Sequence, residues 1–258
     1  MLVSPPTLGF RSGERGVHNT RTVMLGDLAT LLGALPESAS PEDYRHAVVE
    51  ENALGKRTAS TRTHSFRRLS ELYALDPEVS VFRVLRRLWD ADDGPGRPLL
   101  GMLCALARDP ILRMTSRPVL DLPLGAPFEK ESVEEAVRQQ ASGRFSETSV
   151  AKIARMTASS WTQSGHLAGR TGKRRARAAA TPAAAAYALA LGFLEGVRGG
   201  ALFETRWARA LDQPLDALHD LAQAASRRGL LTYRNAGGIV EVTFPGLLTD
   251  DETRTGHE

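Results

Sequence analysis

Apolar positions recur at helical spacing along most of the chain, and an alternating pattern appears only near its end. Leucines repeat through LGDLATLLGAL (25–35) until Pro36 stops the run. SPEDYRHAVVEEN then opens with Ser40 as N-cap, Pro41 at the first helical position and Glu42 and Asp43 in the first turn, which predicts a helix start. A helix from Thr61 to about Leu75 follows, and another over 79–91 aligns Val81, Leu85, Leu88 and Trp89 on one stripe. DDGPGRP (92–98) reads as a turn, and LLGMLCALARD (99–109) is apolar all round, so a buried helix is expected. Asp109 with Pro110 caps the next short helix.

Two prolines and a glycine in LDLPLGAPFEK (120–130) predict a domain boundary. Beyond it, KESVEEAVRQQA and ETSVAKIARMTASSW are two helices separated by SGRFS, and 165–182 is a basic, breaker-containing connection. Thr181 and Pro182 start another helix, 203–211 is a short one, and 214–229 is a longer one closed by Gly229. LLTYRNAGGIVEVTF then alternates around a turn at Asn235 to Gly238, predicting a hairpin over about 230–244. Helix, turn, helix and hairpin is the chain order of a winged helix. The expected fold is mainly α: helix-turn-helix units in two helical domains (18–122 and 123–248), with a C-terminal winged helix carrying one β-hairpin and flexible ends at 1–17 and 249–258.

Charge changes this picture more than composition does. The net charge is only +3, yet residues 52–70 hold five cationic side chains and no acid, and residues 148–194 hold seven and again no acid. The other 192 residues keep 21 bases against 30 acids. Such segregation is the footprint of a polyanion site. In the first basic stretch, LGKRTASTRTHSFRRL, a helical projection places Phe66, Leu69, Leu72 and Tyr73 on one face. Arg57, Thr61, His64 and Arg68 fall on the opposite face with Arg67 beside them, and Arg62 lies near the apolar side. Upstream stands the acidic helix, so the pair has the layout of a helix-turn-helix unit whose second helix enters the major groove. Shifting Phe66, Arg68 and Leu69 by 87 positions lands on Ile153, Arg155 and Met156, which points to a second such unit.

The candidate nucleic-acid-binding residues are therefore Lys56, Arg57, Arg62, His64, Arg67, Arg68, Lys152, Arg155, Arg170, Lys173, Arg174, Arg175 and Arg177, arranged to neutralise phosphates across a concave basic surface. GRTGKRRAR fails as a phosphate-binding loop, because Leu167 stands where a glycine is needed and Arg174 where Ser or Thr is needed. The predicted second helix of the winged helix carries Asp216 and Asp220, with Asp212 just before it, so that unit is expected to meet protein more than DNA. The six histidines lack metal-ligand spacing, the single Cys104 excludes an internal disulfide, and the tryptophans sit at core spacing. No catalytic residue, metal or cofactor is expected. The N-terminus does not read as a secretion signal, and PAAAAYALALGFL (182–194) is shorter than a bilayer span, so a cytoplasmic protein without a membrane helix is expected.

The strings NTRTVMLGDLATLL, LGKRTASTRTHSFRRLSELYALDP, FRVLRRLWD, TASSWTQSGHLAGR and RRGLLTYRNAGGIVEVTFP resemble the BrxA family, accessory proteins of the BREX (bacteriophage exclusion) antiviral defence systems. The resemblance covers about residues 18–245 and contains no catalytic signature. It implies a mostly helical, helix-turn-helix binder of double-stranded DNA that acts in phage resistance beside a methyltransferase, an ATPase and a phosphatase-like protein. A protein–protein adaptor and an RNA-binding module are the alternative expectations.

Overall fold

The computed structural model describes residues 6–13, 15–141 and 143–254. Its helices begin where the local chemistry supplies caps. In α1 (Leu25–Ala34) the inner stripe is Leu25, Leu28, Leu31 and Leu32, and α2 (Pro41–Val49) opens with a full capping box between Ser40 and Asp43. Thr58 caps α3 (Ala59–Tyr73), and α4 (Ser80–Ala91) follows. The all-apolar α5 (Arg97–Arg108) is buried from Leu99 to Ala107. Asp109 then caps α6 (Pro110–Met114), which runs into α7 (Ser116–Leu120).

After the proline-containing stretch come α8 (Lys130–Ala141) and α9 (Glu147–Gln163), the latter capped by Ser146. Residues 165–182, expected as an irregular connection, instead contain a short hairpin of β1 (Leu167–Ala168) and β2 (Arg174–Arg175). Thr181 caps α10 (Pro182–Leu194), and α11 (Arg206–Arg209) and α12 (Leu215–Arg227) follow. The C-terminal hairpin joins β3 (Thr232–Ala236) to β4 (Ile239–Thr243) in the register Thr232 to Thr243. Its two-residue loop, Gly237–Gly238, has φ of +58° and +82°, the sign a tight primed turn requires. The fold is mainly helical with this C-terminal hairpin, as expected, and α12 with β3 and β4 keeps the winged-helix order.

One apolar cluster runs from Leu8 to Leu248. At its centre every residue of α10 from Ala183 to Leu194 is buried, packed against α4, α5, α11 and α12. The alanines let those neighbours approach closely, so α10 needs no polar face. The core therefore continues across the expected boundary at 122/123, because α10 to β4 close over α4 and α5. The part with a core of its own is α8 with α9, where Ile111, Val133, Val137, Val150 and Ile153 form a separate small cluster. Parts of the expected flexible ends are packed: Leu8 is buried, and Glu252 of α13 (Asp250–Arg254) pairs with Arg83 at 2.5 Å. The remainder of those ends, 1–5, Glu14 and 255–258, lies outside the described residues.

Three distant segments are tied by a buried polar line. His18 Nδ1 lies 2.8 Å from Asp109 Oδ2, and His18 Nε2 lies 2.8 Å from Ser160 Oγ. This is the order of a hydrolytic triad, but all three side chains are buried and Ser160 Oγ already accepts from the Val23 amide and reaches the Met156 carbonyl. Asp109 also accepts from the amides of Val17, His18 and Leu112. Burial alone would raise its carboxyl, yet His18 and these amides hold it below the usual carboxylate range. The line is a structural tie joining the N-terminal segment, α6 and α9. Among the described residues, no helix is long and apolar enough to cross a membrane.

Candidate nucleic-acid interface

The second basic region is built as a winged helix of its own. An extended segment, 125–128, pairs with β2: the Gly125 amide donates to the Arg175 carbonyl, Arg175 to Ala126, and Phe128 to Lys173, each at 2.9 Å. With Leu167 opposite Arg175 and Ala168 opposite Arg174, β2 lies between that segment and β1. The order α6–α7, extended segment, α8, α9, hairpin places GRTGK at the tip of a wing directly after the second helix of a helix-turn-helix. The inner side of α9 carries Val150, Ile153, Ala154, Thr157 and Trp161. Its outer side carries Thr148, Lys152, Arg155, Ser159 and Thr162, an acid-free run of cations and hydroxyls suited to phosphate oxygens.

The wing is fastened to that helix. Lys173 Nζ donates to Thr162 Oγ1 at 2.8 Å and to the Gly169 carbonyl at 3.3 Å, where the negative end of the α9 dipole favours a cation. Arg174 is exposed and donates to the Gly125 carbonyl at 2.9 Å. Arg155, Arg170 and Arg177 are exposed and Lys152 is half-buried, and none of the four has an acidic partner among the described residues. These are the cations the fold leaves for a ligand.

Arg175 is a correction. Its side chain is 2% exposed and makes a two-pronged ion pair with Asp212, Nη1 to Oδ2 at 2.9 Å and Nη2 to Oδ1 at 2.5 Å. It fastens the base of the wing to the loop before α12 and is out of reach of phosphate. Beside it, His166 closes the end of α9. Its Nε2 donates to the Ala210 carbonyl at 2.9 Å, its Nδ1 lies 2.9 Å from Ser164 Oγ, and its ring meets Trp161 edge-on. Burial pushes its pKa from 6.5 down to about 4, so the imidazole is neutral.

The first basic stretch divides in the same way. His64 and Arg67 are exposed on α3, Arg67 only loosely facing Glu71 at 4.0 Å, while Arg57, projected onto the same helix face, is exposed in the turn just before the Thr58 cap. Arg68 is drawn to the flank by Glu71 at 2.7 Å, with 22% of its side chain exposed. Lys56 is tied to Asp27 at 2.7 Å and is half-buried, which takes it out of the free set. Arg62 donates to the Glu50 carbonyl at 3.2 Å, and its Nε is buried without a partner, so it closes the turn between α2 and α3. The core-facing stripe is Ser65, Leu69, Leu72 and Tyr73, with Phe66 partly buried beside it. Burial of Ser65 turns the helix slightly from the projected face.

The two basic faces belong to different helix pairs, bridged by residues 17–25. Tyr73 of α3 donates to the Val23 carbonyl at 2.5 Å, while the Val23 and Leu25 amides donate to Ser160 and Gln163 of α9. On this bridge Arg21 is exposed and has no acidic partner among the described residues. Sequence reading passed over it because it stands alone in NTRTVM, outside either acid-free run. The outer hydroxyls Thr148, Ser159 and Thr162 were also missed, since only the placement of the wing shows which side of α9 is outer. The C-terminal hairpin differs in character: Asp216 and Asp220 are exposed on α12, Ile239 at the turn is 77% exposed and Leu215 is 51% exposed. No family model matches the chain, and no curated protein matches it.

Proposed function

We propose that the protein binds double-stranded DNA without catalysing a reaction, using α9 and its wing as the principal reading unit and α3 as a second backbone contact. The observation that carries this reading is the sorting of the cations by the fold. Lys56 and Arg175 are held by internal carboxylates, whereas Lys152, Arg155, Arg170, Arg177, Arg57 and His64 face outward without one. A helix-turn-helix followed by a basic wing suits a major-groove helix with a flanking phosphate clamp. The resemblance to BrxA-family proteins supports a role in a cytoplasmic BREX defence assembly, beside its methyltransferase, ATPase and phosphatase-like subunits.

The test is a salt titration of binding by fluorescence anisotropy with duplex DNA, single-stranded DNA and duplex RNA. Engagement of about six phosphates gives a slope of about −5 in log affinity against log salt. Salt-insensitive binding, or no shift at low salt, refutes the reading, and preference for RNA selects the RNA-binding alternative. One observation favours a second, compatible role as an adaptor: the acidic α12 with exposed Leu215 and Ile239 suits a protein partner better than phosphate. Co-purification with a defence subunit that survives nuclease treatment and the exchange of Leu215 and Ile239 for Ser limits that role to other surfaces.

A further inference from the structure

Away from α9 and the wing, α6, α7, α11, the end of α8 and the Ser12–Gly13 turn enclose an open cavity of about 530 Å3. Arg113, Arg117, Arg206 and Arg209 line it, and among the described residues no Asp or Glu does. Arg113 is half-buried, and its guanidinium donates to the carbonyls of Leu106 at 2.5 Å, Ala107 at 2.9 Å and Arg11, with no carboxylate in its reach among the described residues. Burial, and then the nearby Arg206, push its pKa down, opposed in part by the more distant Glu195 and Asp109. A cation withdrawn from water with no carboxylate in direct contact among the described residues is unfavourable, and with three further arginines beside it the cavity has a positive potential. Arg117, exposed at the rim, has no ion pair among the described residues either. Arg206 and Arg209 are each partly neutralised, by Glu195 and by Asp121 at 2.6 Å, in pairs that remain open to solvent.

Leu106, Met114 and Leu120 also line the cavity and give it an apolar wall. A bare inorganic anion would leave that wall wet, and an apolar ligand would leave the guanidinium groups unanswered. The volume lies within the range of roughly 300 to 1,000 Å3 typical of organic-ligand sites. We propose that the cavity binds a nucleoside phosphate, its ring system against Leu106, Met114 and Leu120 and its phosphates against Arg117 and Arg209. Guanidinium forks match phosphate oxygens two at a time, and they stack on planar rings. The site is separate from the DNA-binding surface, and its ligand would report on nucleotide supply rather than on DNA sequence.

Isothermal titration calorimetry on the nuclease-treated full chain tests this with ATP, ADP, pyrophosphate, adenosine and citrate. ATP and ADP bind saturably, and pyrophosphate and adenosine each bind at least about tenfold more weakly, since each lacks one half of the recognition. Arg117→Glu weakens ADP by more than about tenfold at an unchanged unfolding midpoint, with Arg209→Glu as an independent second variant. Absence of saturable heat up to about 1 mM nucleotide overturns the proposal. Citrate binding as tightly as ADP overturns the assignment to nucleotides, and ADP affinity unchanged in both variants overturns the placement.

Discussion

Acidification should loosen this protein through a single buried ring. The His166 pKa is about 4 in the folded chain and 6.5 as an ordinary histidine, so the unfolded state binds the proton more tightly. The stabilising contribution is complete above pH 6.5, falls as the pH drops through that value, and levels off below about 4. The full difference corresponds to about 3 kcal/mol, and between pH 7.5 and 5.0 the expected loss is about 2 kcal/mol. Urea unfolding of the wild type and of His166→Gln at both pH values measures it. The glutamine amide can still donate to Ala210 and accept near Ser164, so the variant should lose about 1 to 2 kcal/mol at pH 7.5 but show about 2 kcal/mol less pH dependence. The histidines common to both proteins cancel in that comparison. Equal pH-dependent losses in the two proteins, or an imidazole titrating near 6.5 by NMR in the folded chain, would refute the reasoning.

Three further outcomes are expected. Asp109→Ala removes the acceptor of three amides and the His18 ring, and should lower stability by about 3–5 kcal/mol in thermal unfolding. Because the Asp109 carboxyl is held below 3.8, the stabilisation it supplies is present above that pH and is lost only as the pH falls through its lowered value. Arg170→Ala should reduce the salt slope of DNA binding by about 0.9 with no change in unfolding, whereas Lys56→Ala should leave the slope intact and destabilise by no more than about 1 kcal/mol. Ala186→Leu forces a larger side chain into the buried α10 and should cost about 1–3 kcal/mol by urea midpoint, with DNA affinity unchanged once folded.

Elements with local chemistry were legible in the sequence. Ser40 with Pro41, Asp109 with Pro110, and Thr181 with Pro182 each announced a helix start, and the two glycines at 237 and 238 announced the C-terminal turn. The hairpin of β1 and β2 was hidden because two-residue strands have no period to detect, and its third partner, 125–128, lies about 50 residues upstream of β2. The charge runs were legible as runs but not as free charge. Acids three or four residues away can be read off a helix, yet Asp27 reaches Lys56 across 29 positions and Asp212 reaches Arg175 across 37. Arg62, already suspect near the apolar side, proved to close a turn.

The burial of α10 on every side has a consequence for how the chain is made. Until residues 182–194 leave the ribosome, the faces of α4 and α5 that pack against α10 have no cover, and a truncated chain ending near 180 would present them to solvent. Synthesis of more than two thirds of the polypeptide must therefore precede completion of the main core, although the small α8–α9 cluster can form earlier. Expression of the N-terminal half alone should yield aggregate, and the wing that rests on Asp212 is secured only when the last third of the chain has emerged.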